Sequence, residues 1–154
     1  MSPVAVPRWA VMSTGILSLC GVGISTYLTI AHFVGTQILA CSDNALVNCT
    51  AVTTSKQSYF LGMPVAVLGL AFYLVMVVVN SPWGWRRSEQ VVHLGRVILC
   101  GGGLVFIAWL IIAEFLIIEH VCLWCTGVHV VTIALALVIS RVSPAQLGWV
   151  RSDD

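Results

Sequence analysis

Four uninterrupted apolar runs, Trp9 to Val34, Tyr59 to Asn80, His93 to Ile117 and Cys122 to Ser140, decide what this chain can fold into. Each is near or above the ~20 residues that carry a helix across ~30 Å of hydrocarbon. Only 8% of the 154 residues are charged and 59% are hydrophobic, whereas a soluble domain carries about 25% charged residues. Such a chain cannot cover itself with polar surface. Within lipid every backbone polar group must be satisfied internally, and runs this long favour helices over a barrel. The sequence therefore predicts an all-α membrane protein, a four-transmembrane-helix bundle with a long extracytoplasmic loop between helices 1 and 2. The membrane domain is expected over residues 1–142, with helices at about 9–34, 59–80, 93–117 and 122–140 and a cytoplasmic tail at 143–154. The first run follows one arginine, as a signal peptide does. It is too long for a signal core and three more spans follow, so a retained helix is expected.

The basic residues orient the bundle. Four crossings leave both termini and the second loop on one side, with Arg8, Arg86, Arg87, Arg96, Arg141 and Arg151; the other side has only Lys56. Because Lys and Arg accumulate in cytoplasmic segments, both termini are expected inside a multi-pass cell-membrane protein. A loop at about 35–58 and a tight turn at about 119–121 then face outward. The chain has no basic patch away from the membrane and no soluble domain to carry one, so nucleic acid is excluded as a partner.

The cysteines sort by depth. Cys41 and Cys49 lie in the outward loop, and Cys122 and Cys125 at the outward mouth of the fourth helix. Disulfides form and persist on that side of a membrane. Cys20 and Cys100 fall within spans, where a free cysteine behaves as a small buried hydrophobe. The pair in "CLWC" admits several readings. Zinc would need four ligands, which Cys41, Cys49, Cys122 and Cys125 would have to supply with His120 in reserve, at a loop spacing unlike a zinc knuckle. A c-type haem needs His after the second cysteine, where Thr126 stands. Two static disulfides in a non-enzymatic membrane scaffold are a further reading. A dithiol–disulfide relay has the physical advantage, since unpaired N–H groups and the helix dipole stabilise a thiolate at Cys122. Cys122, Cys125 and His129 share one helix face.

These residues, with the segment "CTAVTTS" ending in Ser55 and "LGMPVAVLGLAFY" opening the second helix, resemble the vitamin K epoxide reductase family in its short bacterial form. The resemblance covers nearly the whole chain. It implies a membrane thiol:quinone oxidoreductase that supports disulfide-bond formation. Cys41 would meet an extracytoplasmic thioredoxin-fold (DsbA-like) partner, and Cys49 would pass electrons to Cys122 through a transient disulfide. Cys125 would face a quinone, menaquinone or ubiquinone, as acceptor, with no metal. Some relatives carry the partner fused after the fourth helix; here the chain ends at Asp154, so a separate partner is expected. Vertebrate members have an asparagine in the outer half of helix 2, but 63–69 has none, and many members have tyrosine where His129 stands. Plain quinone reduction is therefore favoured over the alternative of vitamin K quinone or epoxide reduction.

Other polar residues complete the expectations. Glu114, an intramembrane acid, is a functional candidate by default. His129, one turn below Cys125, is expected to donate a hydrogen bond to a quinone carbonyl, with Ser55 and Glu114 next in line. His120 is expected to tune the thiols, His32 to be interfacial and His93 to be without chemistry. Ser18, Ser25, Thr29 and the glycines at 101–103 suggest close helix packing. Trp9, Trp83, Trp85 and Trp149 read as interfacial anchors.

Overall fold

The chain runs as α1 (Arg8–Val34), a short α2 (Cys49–Thr53), a hairpin of β1 (Tyr59–Phe60) and β2 (Met63–Pro64), α3 (Val65–Val79), α4 (Pro82–Arg86), α5 (Gln90–Ile112) and α6 (Leu123–Gln146). The last turn of α5 widens into a π-helical turn, Ala113–Ile118. This computed structural model describes residues 6–41, 44–87 and 89–148. Trp149, Arg151 and the end of the expected tail lie outside the described residues.

Three helices, Arg8–Val34, Gln90–Ile118 and Leu123–Gln146, are long and apolar enough to cross a membrane. The fourth, α3, has 15 residues, or ~22 Å at 1.5 Å per residue. The expected helix at 59–80 therefore begins later than the apolar pattern suggests. Leu61 and Gly62 both take positive φ, 51° and 82°, which closes a two-residue turn pairing Tyr59 with Pro64 and Phe60 with Met63. Pro64 then caps α3 in extended geometry, as proline just ahead of a helix does. At the other end of the chain, α6 continues past the expected end at Ser140, through Pro144 to Gln146.

Helix α1 is the central post, with α3 and α6 packed along it, while α5 packs mainly on α6 and more thinly on α3. The contact between α1 and α3 turns on Gly21. The Tyr73 ring lies against its bare backbone, and a Cβ at that position would fall inside the ring. Tyr73 is fully buried, and its hydroxyl donates to Val128 O at 3.0 Å and pairs with Thr132 Oγ1 at 2.8 Å. One glycine and one tyrosine thus tie α1, α3 and α6 together.

The end away from the 35–58 loop holds a buried polar clasp. Arg96 is fully buried, with its guanidinium 3.5 Å above the Trp85 ring. It donates to Val79 O at the end of α3 and to His93 Nδ1. Since an arginine only donates and a carbonyl only accepts, His93 must carry its proton on Nε2, which donates to Arg87 O. Asn80 Nδ2 reaches Ser18 Oγ, and Trp85 Nε1 reaches Thr14 Oγ1. Two expectations change accordingly. Arg96 is no free surface cation, because it caps the carbonyl end of α3; Trp85 is buried where an interfacial anchor was expected. Cys20 is also corrected: it is exposed on the outer face of α1, while Cys100 is buried as expected.

Overpacking a tight contact costs ~1–3 kcal/mol. Gly21→Ala is expected to lower the detergent Tm of the purified protein, whereas Gly15→Ala, with nothing within 4 Å of its new methyl, is expected to leave it unchanged or raised. Equal thermal shifts in the two variants would remove Gly21 as the pivot.

Candidate active site

The mouth of α6 is built around sulfur. Cys122 is the residue ahead of the helix, in extended geometry, and its Sγ accepts from the backbone N–H of Cys125 at 3.4 Å. It occupies the place where Ser, Thr, Asp or Asn usually meets the unpaired N–H groups of a first turn. Thr126 bonds back to Cys122 O through both its N–H and its hydroxyl, which fixes the turn. The chain enters it through Glu119, at φ +59°. Cys122 lies ahead of the span, and its thiol is held below the ordinary thiol range. The hydrogen bond from the Cys125 side chain is the largest cause and outweighs the opposing effect of burial.

Two clamps bring the loop over this mouth. Val121 N–H donates to Leu46 O at 2.9 Å and Asn48 N–H donates to Val121 O at 3.1 Å, forming a single parallel bridge between Val47 and Val121. Asn44 Oδ1 accepts from Leu46 N–H and Val47 N–H, shaping the approach. Asn48 Oδ1 then caps α2 through Ala51 N–H, so Cys49 opens that helix beside the bridge. At the second clamp Trp124 Nε1 donates to Ala40 O at 3.1 Å. The Tyr27 hydroxyl donates to Ile38 O and accepts from Ala40 N–H, and its ring meets Trp124 edge-on at 4.7 Å. Between the clamps Cys41 and Cys49 are joined as a disulfide, while Cys122 and Cys125 are free thiols. Cys49 and Cys122 are both buried in one cluster with Leu28, Ala31, Leu39 and Val52, against which Cys41 and Cys125 pack.

Beneath the mouth lies a cavity of about 460 Å³ between α1, α3, α5 and α6, within the usual range for small-molecule sites. Its wall surface is mainly apolar, with Leu, Ile, Val and Phe the largest contributors. Cys125, His129, Glu114, Ser55 and His32 contribute the few polar groups that matter for chemistry. His129 and Glu114 are both buried. The π turn directs Ala113 and Glu114 inward, while Phe115, Leu116 and Ile117 stay exposed. Ser55 spends its hydroxyl on Val52 O, and His32 Nε2 pairs with the Tyr59 hydroxyl at 3.1 Å. His120 stands apart: it does not join the cavity wall, and its Nδ1 is buried with no hydrogen-bond partner among the described residues. His93 lies at the far end, away from the thiols.

Sequence reading missed Trp124 and Tyr27, the residues that hold the loop. The available signal was the tryptophan inside CLWC, a large donor placed between two functional cysteines. It also missed Tyr73 and Thr132 in the cavity wall. Among the described residues, no group of three or more His, Cys, Asp or Glu is placed to hold a metal ion.

A disulfide and a free dithiol thus pack together at the mouth of apolar, membrane-length helices. The model of the vitamin K epoxide reductase family matches residues 12–140, and the chain belongs to that family. It is accordingly a membrane redox enzyme of the quinone and disulfide chemistry for which the family stands. No individually curated protein matches it.

A group whose pKa is depressed in the folded state adds stability above its unfolded pKa and loses it as pH falls through the folded value. For reduced protein, the Cys122 contribution is therefore full above the ordinary thiol pKa and disappears below the lowered one. ¹³C-cysteine NMR of the reduced protein is expected to show Cys122 ionising below the ordinary range, and Cys125→Ala is expected to move that step upward. An unmoved midpoint would mean that Cys125 does not hold the thiolate.

Proposed function

We propose that this chain is a thiol:quinone oxidoreductase supporting disulfide-bond formation, with Cys41, Cys49, Cys122 and Cys125 as its electron path. The observation that carries the reading is the division of the CLWC pair. Both pack at the cluster that holds the loop disulfide, but of the two only Cys125 also lines the cavity. One sulfur faces a thiol partner and the other an apolar acceptor. Reduced thioredoxin-fold (DsbA-like) protein attacks Cys41, and the loop thiols then reduce a Cys122–Cys125 disulfide by way of Cys49. Each transfer is attack by a thiolate on a disulfide sulfur, and the lowered pKa of Cys122 makes it a good leaving group when Cys49 is attached to it.

The cavity fits a quinone head in volume and polarity. A quinone supplies a two-electron, two-proton sink. His129, one turn below Cys125, binds a carbonyl oxygen by donating from its ring N–H; Ser55 supports the roof of the site and His120 tunes the thiols. Epoxide reduction is the weaker reading, since residues 63–69 at the head of α3 include no asparagine. The same reading treats α3 as a short fourth crossing in a membrane domain spanning 1–142. Both termini face the cytoplasm and the four cysteines the opposite side.

The deciding experiment mixes the reduced, purified protein with menaquinone and ubiquinone analogues and follows quinol formation by ultraviolet absorbance; no reduction of either would end this reading. Cys41→Ser is expected to accumulate a Cys49–Cys122 disulfide, visible by non-reducing peptide mapping, because the thiol that resolves it is gone. Impermeant maleimide applied to intact cells should label Cys41 after mild reduction, and its protection would invert the orientation. His129→Phe is expected to weaken quinone binding and to slow turnover by about 10²-fold or more if the imidazole also gives a proton. Turnover and affinity within about twofold of wild type would reduce His129 to packing.

A further inference from the structure

We propose that Glu114 is the proton carrier of the site: its carboxylate takes the proton of the Cys125 thiol and delivers it to a quinone oxygen. The inference rests on the thiol:quinone reading above and assigns to a further residue the step that reading leaves open.

Four observations point to it. Glu114 is 4% exposed, inside a helix that is apolar on every side of it. Its carboxyl meets the backbone N–H of Cys122 and interacts electrostatically with both the Cys122 and Cys125 sulfurs. It lines the same cavity as Cys125 and His129. Finally, the backbone departs from regular helix at this point, in the π turn that begins at Ala113. Such turns cluster at functional sites. A buried carboxylate is costly unless paired, yet the one ion pair among the described residues is Arg87–Glu89, elsewhere in the chain. An acid kept here without a cation is poised to change its protonation state as the sulfurs beside it change theirs.

The chemistry requires such a group. When the Cys122–Cys125 bond forms, the two sulfurs lose two electrons, which reduce the quinone. Two protons must reach its oxygens to complete the quinol. One proton left Cys122 for solution when its thiolate formed, and a proton from solution replaces it on one oxygen. The other is still on Cys125, within the apolar cavity. Glu114 accepts it as the S–H bond breaks and releases it as the second O–H bond forms, returning to carboxylate, so atoms and charge balance. The titratable groups around Glu114 are Cys122 at the cap, Cys125 and His129 on α6, His32 on α1 and Tyr73 on α3. The cysteine of α2, Cys49, is held as a disulfide.

Glu114→Gln separates carriage from architecture, because glutamine keeps the shape and still accepts from Cys122 N–H but cannot carry a proton. In single-turnover mixing of pre-reduced protein with quinone, this variant is expected to be slower by about 10²- to 10⁴-fold. Its quinone Kd and its Cys49–Cys122 exchange rate should stay within about twofold of wild type, and Glu114→Asp should recover part of the rate. In quinone-free protein, infrared difference spectra should show a carboxyl C=O band that responds to reduction of the cysteines and is missing from Glu114→Gln. A Glu114→Gln rate within twofold of wild type overturns the proposal and leaves Glu114 as a backbone acceptor. Parallel loss of quinone affinity or thiol exchange also overturns it, in favour of a structural role. Should Glu114→Gln not fold, a missing carboxyl response in wild type and Glu114→Asp overturns it. If wild-type protein reduces no quinone at all, the functional reading fails and the proton carrier fails with it.

Discussion

Two backbone hydrogen bonds, from Val121 N–H to Leu46 O and from Asn48 N–H to Val121 O, decide where the loop chemistry happens. They set the register of the segment that leads into Cys49 relative to the helix mouth, beside which Cys49 is buried with Cys122. A two-bond bridge is a weak element by itself. Here it is reinforced on one side by the Asn48 cap of α2 and on the other by the fixed turn through Thr126. The bridge sets the loop disulfide over the mouth of α6 with backbone atoms alone.

The second clamp has a different character. Trp124 and Tyr27 hold the segment from Ile38 to Ala40 through aromatic contact and three hydrogen bonds at the exposed rim. Cys41 follows directly and is half-buried, unlike Cys49. The two members of the loop disulfide thus differ in access, although they share a bond. The CLWC pair repeats the asymmetry one layer down, with Cys122 under the loop and Cys125 on the cavity wall.

Much of this was legible in the residues. Apolar run length located three of the helices to within a few residues, and the two-residue spacing in CLWC at a helix start identified the thiol pair. What stayed hidden was set by contacts distant in sequence. Nothing local to Ala40 announces that Trp124 will bond to it. The start of α3 was misread because hydropathy alone cannot tell a hairpin from a helix when both are apolar; the Leu61–Gly62 turn before Pro64 carried the information. Counting basic residues treated Arg96 as a loop charge, but a guanidinium with a helix end and an indole face within reach folds inward. Glu114 was recognised as an anomaly of composition, while its inward direction depends on a local widening of the helix that no periodicity reveals.

The clasp around Arg96 has a consequence for how the chain can vary. The Arg96 guanidinium is the shared partner of the Trp85 ring, His93 Nδ1 and the carbonyl end of α3, so removing it strands those neighbours in an apolar setting. Breaking a buried charge arrangement by a single change is typically far more damaging than replacing the whole by apolar residues of similar volume. Single substitutions in the clasp are therefore barriers between two acceptable solutions, and drift at this end of the bundle must proceed by linked changes or not at all.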